Sequence, residues 1–113
     1  MSRDDAHVLD VLEAARRARL FFADMTDDAF LSDNKTQSAV LYQLTVLGEA
    51  VRRVSQPFRD GYPGIPWQLM AGLRSRIVHD YDEIDLDEIL NILKKDLPEL
   101  IPRLEAIAKP EPE

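Results

Sequence analysis

The chain has 113 residues, with 21 acids against 14 Lys and Arg, for a formal charge of −7. That length suits one domain rather than two, and an apolar fraction of 45% can furnish one modest core. The absence of cysteine excludes a disulfide scaffold, a thiol nucleophile and any zinc site built on thiolates, and fits a reducing, cytoplasmic setting. No apolar leader follows Met1, so no signal peptide is expected. The most apolar stretch, Val40 to Val51, is interrupted by Gln43, Thr45 and Glu49 and falls short of the ~20 residues of a membrane span. Taken whole, the acidity weighs against nucleic-acid binding.

The periodicity is helical throughout, and nothing reads as a strand. From Asp4 to Met25 the apolar positions Val8, Val11, Leu12, Ala15, Ala18, Phe22 and Met25 recur at steps of three and four. Thr26-Asp27-Asp28 ends this helix, and Phe30-Leu31 forms a short apolar plug. Asn34 and Gln37 are spaced as a capping box for a second helix running to about Ser55. Pro57 to Pro66 reads as a loop, with Pro66 as the first residue of a third helix carrying Trp67, Met70, Leu73, Ile77 and Tyr81. Asp85 and Glu88 suggest another capping box before a last helix, which Pro98 must kink or restart. Residues 110–113 read as a disordered polar tail. The expected architecture is all-α, a small antiparallel bundle of four main helices with a kinked or split C-terminal helix.

Chemistry-bearing residues are few. Two histidines, His7 and His79, do not make a transition-metal site, and no metal or cofactor is expected. His7 reads as an exposed residue in a first helical turn. The acids from Asp80 to Glu88 lack the glycine of a calcium loop and read as a solvated helix start. Around His79 the sequence is Leu73-Arg74-Ser75-Arg76-Ile77-Val78-His79-Asp80-Tyr81. On a helix, Arg74 and Tyr81 share a face, as do Ser75, Arg76 and His79. The bland alternative is a set of cations offsetting the partial negative charge of a helix C-terminus.

Local charge weighs against that bland alternative without removing it. From Arg52 to Arg76 there are five arginines (52, 53, 59, 74 and 76) against Asp60 alone, a net +4. The remaining nine cations and twenty acids leave −11 elsewhere. Arginine's planar fork suits phosphate oxygens. Cleavage of RNA by its own 2′-OH needs a base, an acid and cations for the charge built on phosphorus. An imidazole can serve in either proton role near neutrality. One chain offers a single histidine in this cluster, so a homodimer with a composite site is the economical arrangement.

These residues resemble the HepT-like branch of the HEPN superfamily of small helical ribonuclease toxins. Arg74, His79 and Tyr81 match the family's pattern of Arg, four residues, His, one residue, Tyr. Phe30-Leu31-Ser32-Asp33, Gln37-Ser38-Ala39-Val40, Leu47-Gly48-Glu49-Ala50, Tyr62-Pro63-Gly64-Ile65-Pro66-Trp67 and Asp96-Leu97-Pro98-Glu99-Leu100 resemble its other segments, so the likeness covers most of the chain. It implies a single HEPN-like domain over residues 1–109 that acts as a homodimeric, metal-independent endoribonuclease. That enzyme would be the toxin of a type VII (HEPN/MNT) toxin–antitoxin system. The implied partner is a minimal nucleotidyltransferase antitoxin, which in some systems attaches AMP to the motif tyrosine. Arg74 and His79 would be catalytic, with Ser75 and Arg76 in support and Tyr81 as the modification target. Arg52, Arg53 and Arg59 are the expected RNA contacts. Two positions depart from the pattern: Ser75 replaces a usual Asn or Asp, and Asp80 replaces a usual Gly. An acid at position 80 repels substrate phosphates. A non-catalytic helical dimer that docks a nucleotidyltransferase is the runner-up, and a purely structural bundle is third.

Overall fold

The computed structural model describes residues 2–80 and 83–109. Its first helix, α1 (Arg3–Phe22), starts in a reciprocal capping box: Ser2 accepts from the Asp5 N–H, and Asp5 accepts from the Ser2 N–H. The expected stripe Val8, Val11, Leu12, Ala15, Ala18 and Phe22 is buried as one face. The helix stops at Phe22, before the expected Met25, because Asp24 takes a left-handed backbone conformation with φ 66°. Asp tolerates that region better than most residues. The segment read as a plug is a single helical turn, α2 (Asp27–Leu31), and Phe30 meets Phe22 edge-on at 5.6 Å.

Asp33, not Asn34, caps α3 (Asn34–Arg53), taking the Thr36 N–H at 3.0 Å and the Thr36 hydroxyl at 2.8 Å. Gln37 instead reaches back and donates to the Phe30 carbonyl at 2.9 Å, tying α2 to α3. The α1 and α3 helices pack antiparallel along their lengths, and Asp4 at the start of α1 bonds Ser55 just beyond α3. The expected loop contains another helical turn, α4 (Gln56–Asp60), capped by Ser55 with Pro57 in its first turn.

The third helix departs furthest from expectation. It is two short pieces, α5 (Trp67–Ala71) and α6 (Leu73–Ile77), separated at Gly72, with Pro66 flanking rather than opening the first. Glycine is the weakest helix former after proline, and here φ −94° and ψ 8° interrupt the ladder. The helical register also ends at Ile77, short of the expected run. Val78 is extended and pairs antiparallel with Ile84. The His79 N–H donates to the Glu83 carbonyl at 2.8 Å, and the Asp85 N–H to the Ile77 carbonyl at 2.7 Å. Two successive β-branched residues, Ile77 and Val78, favour that exit.

The chain then stays helical from α7 (Leu86–Asn91) through a π-helical turn (Ile92–Asp96) into α8 (Leu97–Ile107). Pro98 restarts the α-geometry rather than ending the helix, and both Pro98 and Pro102 lie on the exposed side. Buried Ile89, Ile92, Leu93, Leu97 and Leu104 join the stripes of α1, α3, α5 and α6 in one core. The architecture is therefore all-α, with no strand among the described residues and only the isolated Val78–Ile84 bridge. No helix of the described residues is long and apolar enough to cross a membrane. The tail expected at 110–113 lies outside the described residues.

Candidate active site

Three close-range interactions fix where α6 ends. Arg76 lies half-buried and forms ion pairs through Nη2 with Glu88 of α7 and, at 3.5 Å, with Asp96 of the π-helical turn. These pairs tie α6 to the next two elements. Beyond α6, the Val78–Ile84 bridge turns the chain back so that Asp85 lies beside His79. The Asp85 carboxylate has two partners: Oδ1 accepts the Glu88 N–H at 3.0 Å as the cap of α7, and Oδ2 lies 3.2 Å from His79 Nε2. The Glu88 backbone N–H, and after it the His79 ring, hold the Asp85 carboxyl below the usual carboxylate range.

The expected capping box at Asp85 and Glu88 is therefore only half present. Asp85 caps the helix, while the Glu88 side chain is committed to Arg76. His79 likewise stands in a bridged loop and not on a helix. The helical face that would group it with Ser75 and Arg76 does not form, and the expected grouping of Arg74 with Tyr81 falls on a residue outside those described. Arg74 and Ser75 are exposed on α6, and the Arg74 side chain forms no hydrogen bond or ion pair with a described residue. Tyr81 lies outside the described residues.

The basic segment divides into two kinds of arginine. Arg59 donates from Nε to the Val54 carbonyl at 3.0 Å and from Nη2 to Val51 at 2.8 Å, closing the C-terminal end of α3. Arg52 donates to Glu49 and to the Ala71 carbonyl, 3.0 and 3.1 Å away, pinning α5 to α3. The Arg53 side chain is exposed and bonds no described residue. It borders a hollow of about 710 Å³ between α1 and α3 and a second of about 860 Å³ beside Ser2, Asp4, His7 and Ser55. Neither hollow is lined by Arg74 or His79.

His7 is half-buried rather than exposed, with Nδ1 enclosed and unbonded among the described residues. Asp4 next to it accepts the Ser55 hydroxyl and N–H, both at 2.7 Å, and these bonds lower its pKa. Asp85 is the residue of the His79 neighbourhood that sequence reading missed as a partner. A helix-capping Asp was legible, but no local spacing shows that the loop folds back to the imidazole six positions earlier.

Chemically, the end of α6 offers an exposed guanidinium and an exposed imidazole, with a carboxylate bonded to the imidazole's far nitrogen. That set can transfer protons and neutralise charge on a phosphodiester. Residues 11–107 match the family model described as Ribonuclease HepT-like. A Methanocaldococcus jannaschii protein named "Putative RNase MJ0127" is 40% identical over 104 residues, covering 92% of this chain and 86% of that one. A Thermococcus cleftensis protein named "Probable ribonuclease HepT" is 33% identical over 100 residues, covering 88% and 91% respectively. No solved structure matches the chain significantly.

Proposed function

The chain belongs to the HepT-like ribonuclease family, and on that premise we propose that it is a metal-independent endoribonuclease with a composite site at a homodimer interface. The observation that carries this reading is the exposed His79 imidazole, braced by Asp85 just beyond the α6 turn that presents Arg74. His79 of one copy takes the 2′-OH proton, and the protonated His79 of a second copy supplies a proton to the leaving 5′ oxygen. Arg74 neutralises the charge that builds on the phosphoryl oxygens. Imidazole and guanidinium together supply the acid, base and electrostatic roles of the reaction.

In the same reading the protein is the toxin of a type VII toxin–antitoxin pair, and a minimal nucleotidyltransferase is its antitoxin. AMP placed on Tyr81 adds phosphate charge to the protein and repels RNA. Of the expected RNA contacts Arg52, Arg53 and Arg59, Arg53 is the one left free to meet RNA, since Arg52 and Arg59 are engaged by carbonyls.

Purified protein should nick RNA in EDTA and leave 2′,3′-cyclic phosphate ends. The variants His79→Ala and Arg74→Ala should each lose about 100-fold or more of that rate. Wild type as inert as both variants across several RNAs overturns the reading. The acids Asp80, Glu83 and Asp85 around His79 favour one alternative, a docking surface for a nucleotidyltransferase. Tight binding of that partner without RNA cleavage would select it.

A further inference from the structure

We propose that Asp85 is a positioning residue for His79: by accepting the Nε2 proton it fixes the imidazole tautomer and leaves Nδ1 as the nitrogen that meets RNA. The proposal rests on the ribonuclease reading for its chemical role but not for its structural content. An ionised carboxylate can only accept, so its contact with Nε2 at 3.2 Å requires the proton on that nitrogen. Asp85 is itself held from two sides. Its Oδ1 caps α7 through the Glu88 N–H, and its backbone N–H is bonded to the Ile77 carbonyl across the Val78–Ile84 bridge. The carboxylate is therefore anchored to the helix behind it while its second oxygen faces the ring. No described residue bonds His79 Nδ1.

In the reaction the 2′-OH proton passes to Nδ1 as the 2′ oxygen bonds phosphorus. The P–O5′ bond breaks, and the departing oxygen takes a proton from the imidazolium of a second copy. During proton uptake His79 becomes cationic, and Asp85 stabilises that charge while preventing the ring from rotating.

Asp85 is also a helix cap, so its two duties need separating. Asn and Ser cap helices about as well as Asp. Asp85→Asn keeps a weak acceptor near the ring, whereas Asp85→Ser keeps the cap but is too short to reach it. The thermal midpoint of both should stay within a few degrees of wild type. With a cleavable RNA, kcat should fall about 10-fold for Asn and about 100-fold for Ser while KM changes less than about two-fold. The imidazole ¹⁵N spectrum provides a readout that needs no activity, with His79→Ala distinguishing the resonances of His79 from those of His7. Wild type should show a protonated, pyrrole-type Nε2 and a pyridine-type Nδ1, and the Nε2 resonance should move in both variants. A pyrrole-type Nδ1 in wild type, or an Nε2 resonance unmoved by both substitutions, overturns the proposal. An unchanged kcat in a well-folded Asp85→Ser also overturns it. Complete absence of wild-type cleavage with the ¹⁵N pattern intact would instead remove the ribonuclease reading and leave the Asp85–His79 assignment standing.

Discussion

Arg19 Nη1 donates to the Leu93 carbonyl at 2.9 Å across seventy-four positions of sequence. The π-helical turn explains why that carbonyl needs an outside donor. The Leu97 N–H bonds the Ile92 carbonyl, one position further back than in an α-helix. The next N–H in that register would belong to Pro98, which has none. Leu93 is fully buried, so its carbonyl cannot turn to water, and the guanidinium of α1 takes its place.

Arg19→Ala should therefore cost about 1–3 kcal/mol, the usual penalty for a buried acceptor left unpaired. Arg16→Ala, which removes only the exposed pair with Glu105, should cost less than about 1 kcal/mol. Urea denaturation of the two variants measures the contrast. Equal losses would show that Arg19 acts merely as another surface charge.

Gly48 lies at a close approach of α3 to α5. A Cβ there would stand 3.3 Å from the Met70 carbonyl oxygen and 3.7 Å from that of Ala71. Both are backbone atoms and cannot swing aside. Gly48→Val should destabilise by about 1–3 kcal/mol through overpacking. Because α5 leads directly into α6, it should also lower any activity that depends on Arg74. A stable, fully active Gly48→Val would show that α5 can shift freely.

Arg53 and Arg59 should separate stability from RNA contact. Arg59→Ala releases two carbonyls at the end of α3 and should lower the urea midpoint, with about 1–3 kcal/mol lost. Arg53→Ala should leave stability within about 0.5 kcal/mol. If Arg53 meets a phosphate, its removal should reduce the slope of log affinity against log salt by about one. An unchanged slope removes Arg53 from the RNA contacts.

Three carboxyls are held below their ordinary range: Asp4 by the Ser55 hydroxyl, Asp33 by the Thr36 N–H, and Asp85 by the Glu88 N–H. A depressed folded-state pKa contributes stability above the unfolded value of about 3.9, and that contribution is lost as pH falls through the lower folded value. The urea midpoint should hold between pH 7 and about 5 and then decline below about 4. Asp33→Asn, which keeps a cap without a titrating charge, should flatten part of the decline. A midpoint at pH 3 equal to that at pH 6 would contradict all three assignments.

The amphipathic stripes of α1 and α3 were legible in the sequence because helical burial repeats every three to four residues within one element. So was the basic segment, which is a linear property of composition. The position of His79 was not. Its neighbours at helical spacing, Ser75 and Arg76, suggested a shared face, but Gly72 interrupts the helix and the bridge at Val78 ends it. Helix capping is a contest among adjacent polar residues, and Asp33 won over Asn34 because its carboxylate meets both the N–H and the hydroxyl of Thr36.

An all-α chain, its core stripes, and the arginine and histidine residues on which the proposed chemistry rests all follow from residue order alone. Folding in three dimensions sets which arginines are engaged elsewhere: Arg59 by the end of α3, Arg52 by Ala71, and Arg76 by Glu88 and Asp96. It also decided that Asp85 faces His79. The reason is that periodicity reports burial along one helix, whereas hydrogen-bond partners across loops depend on where the chain turns. At residues 78–84 a single pair of bridged residues sets that turn.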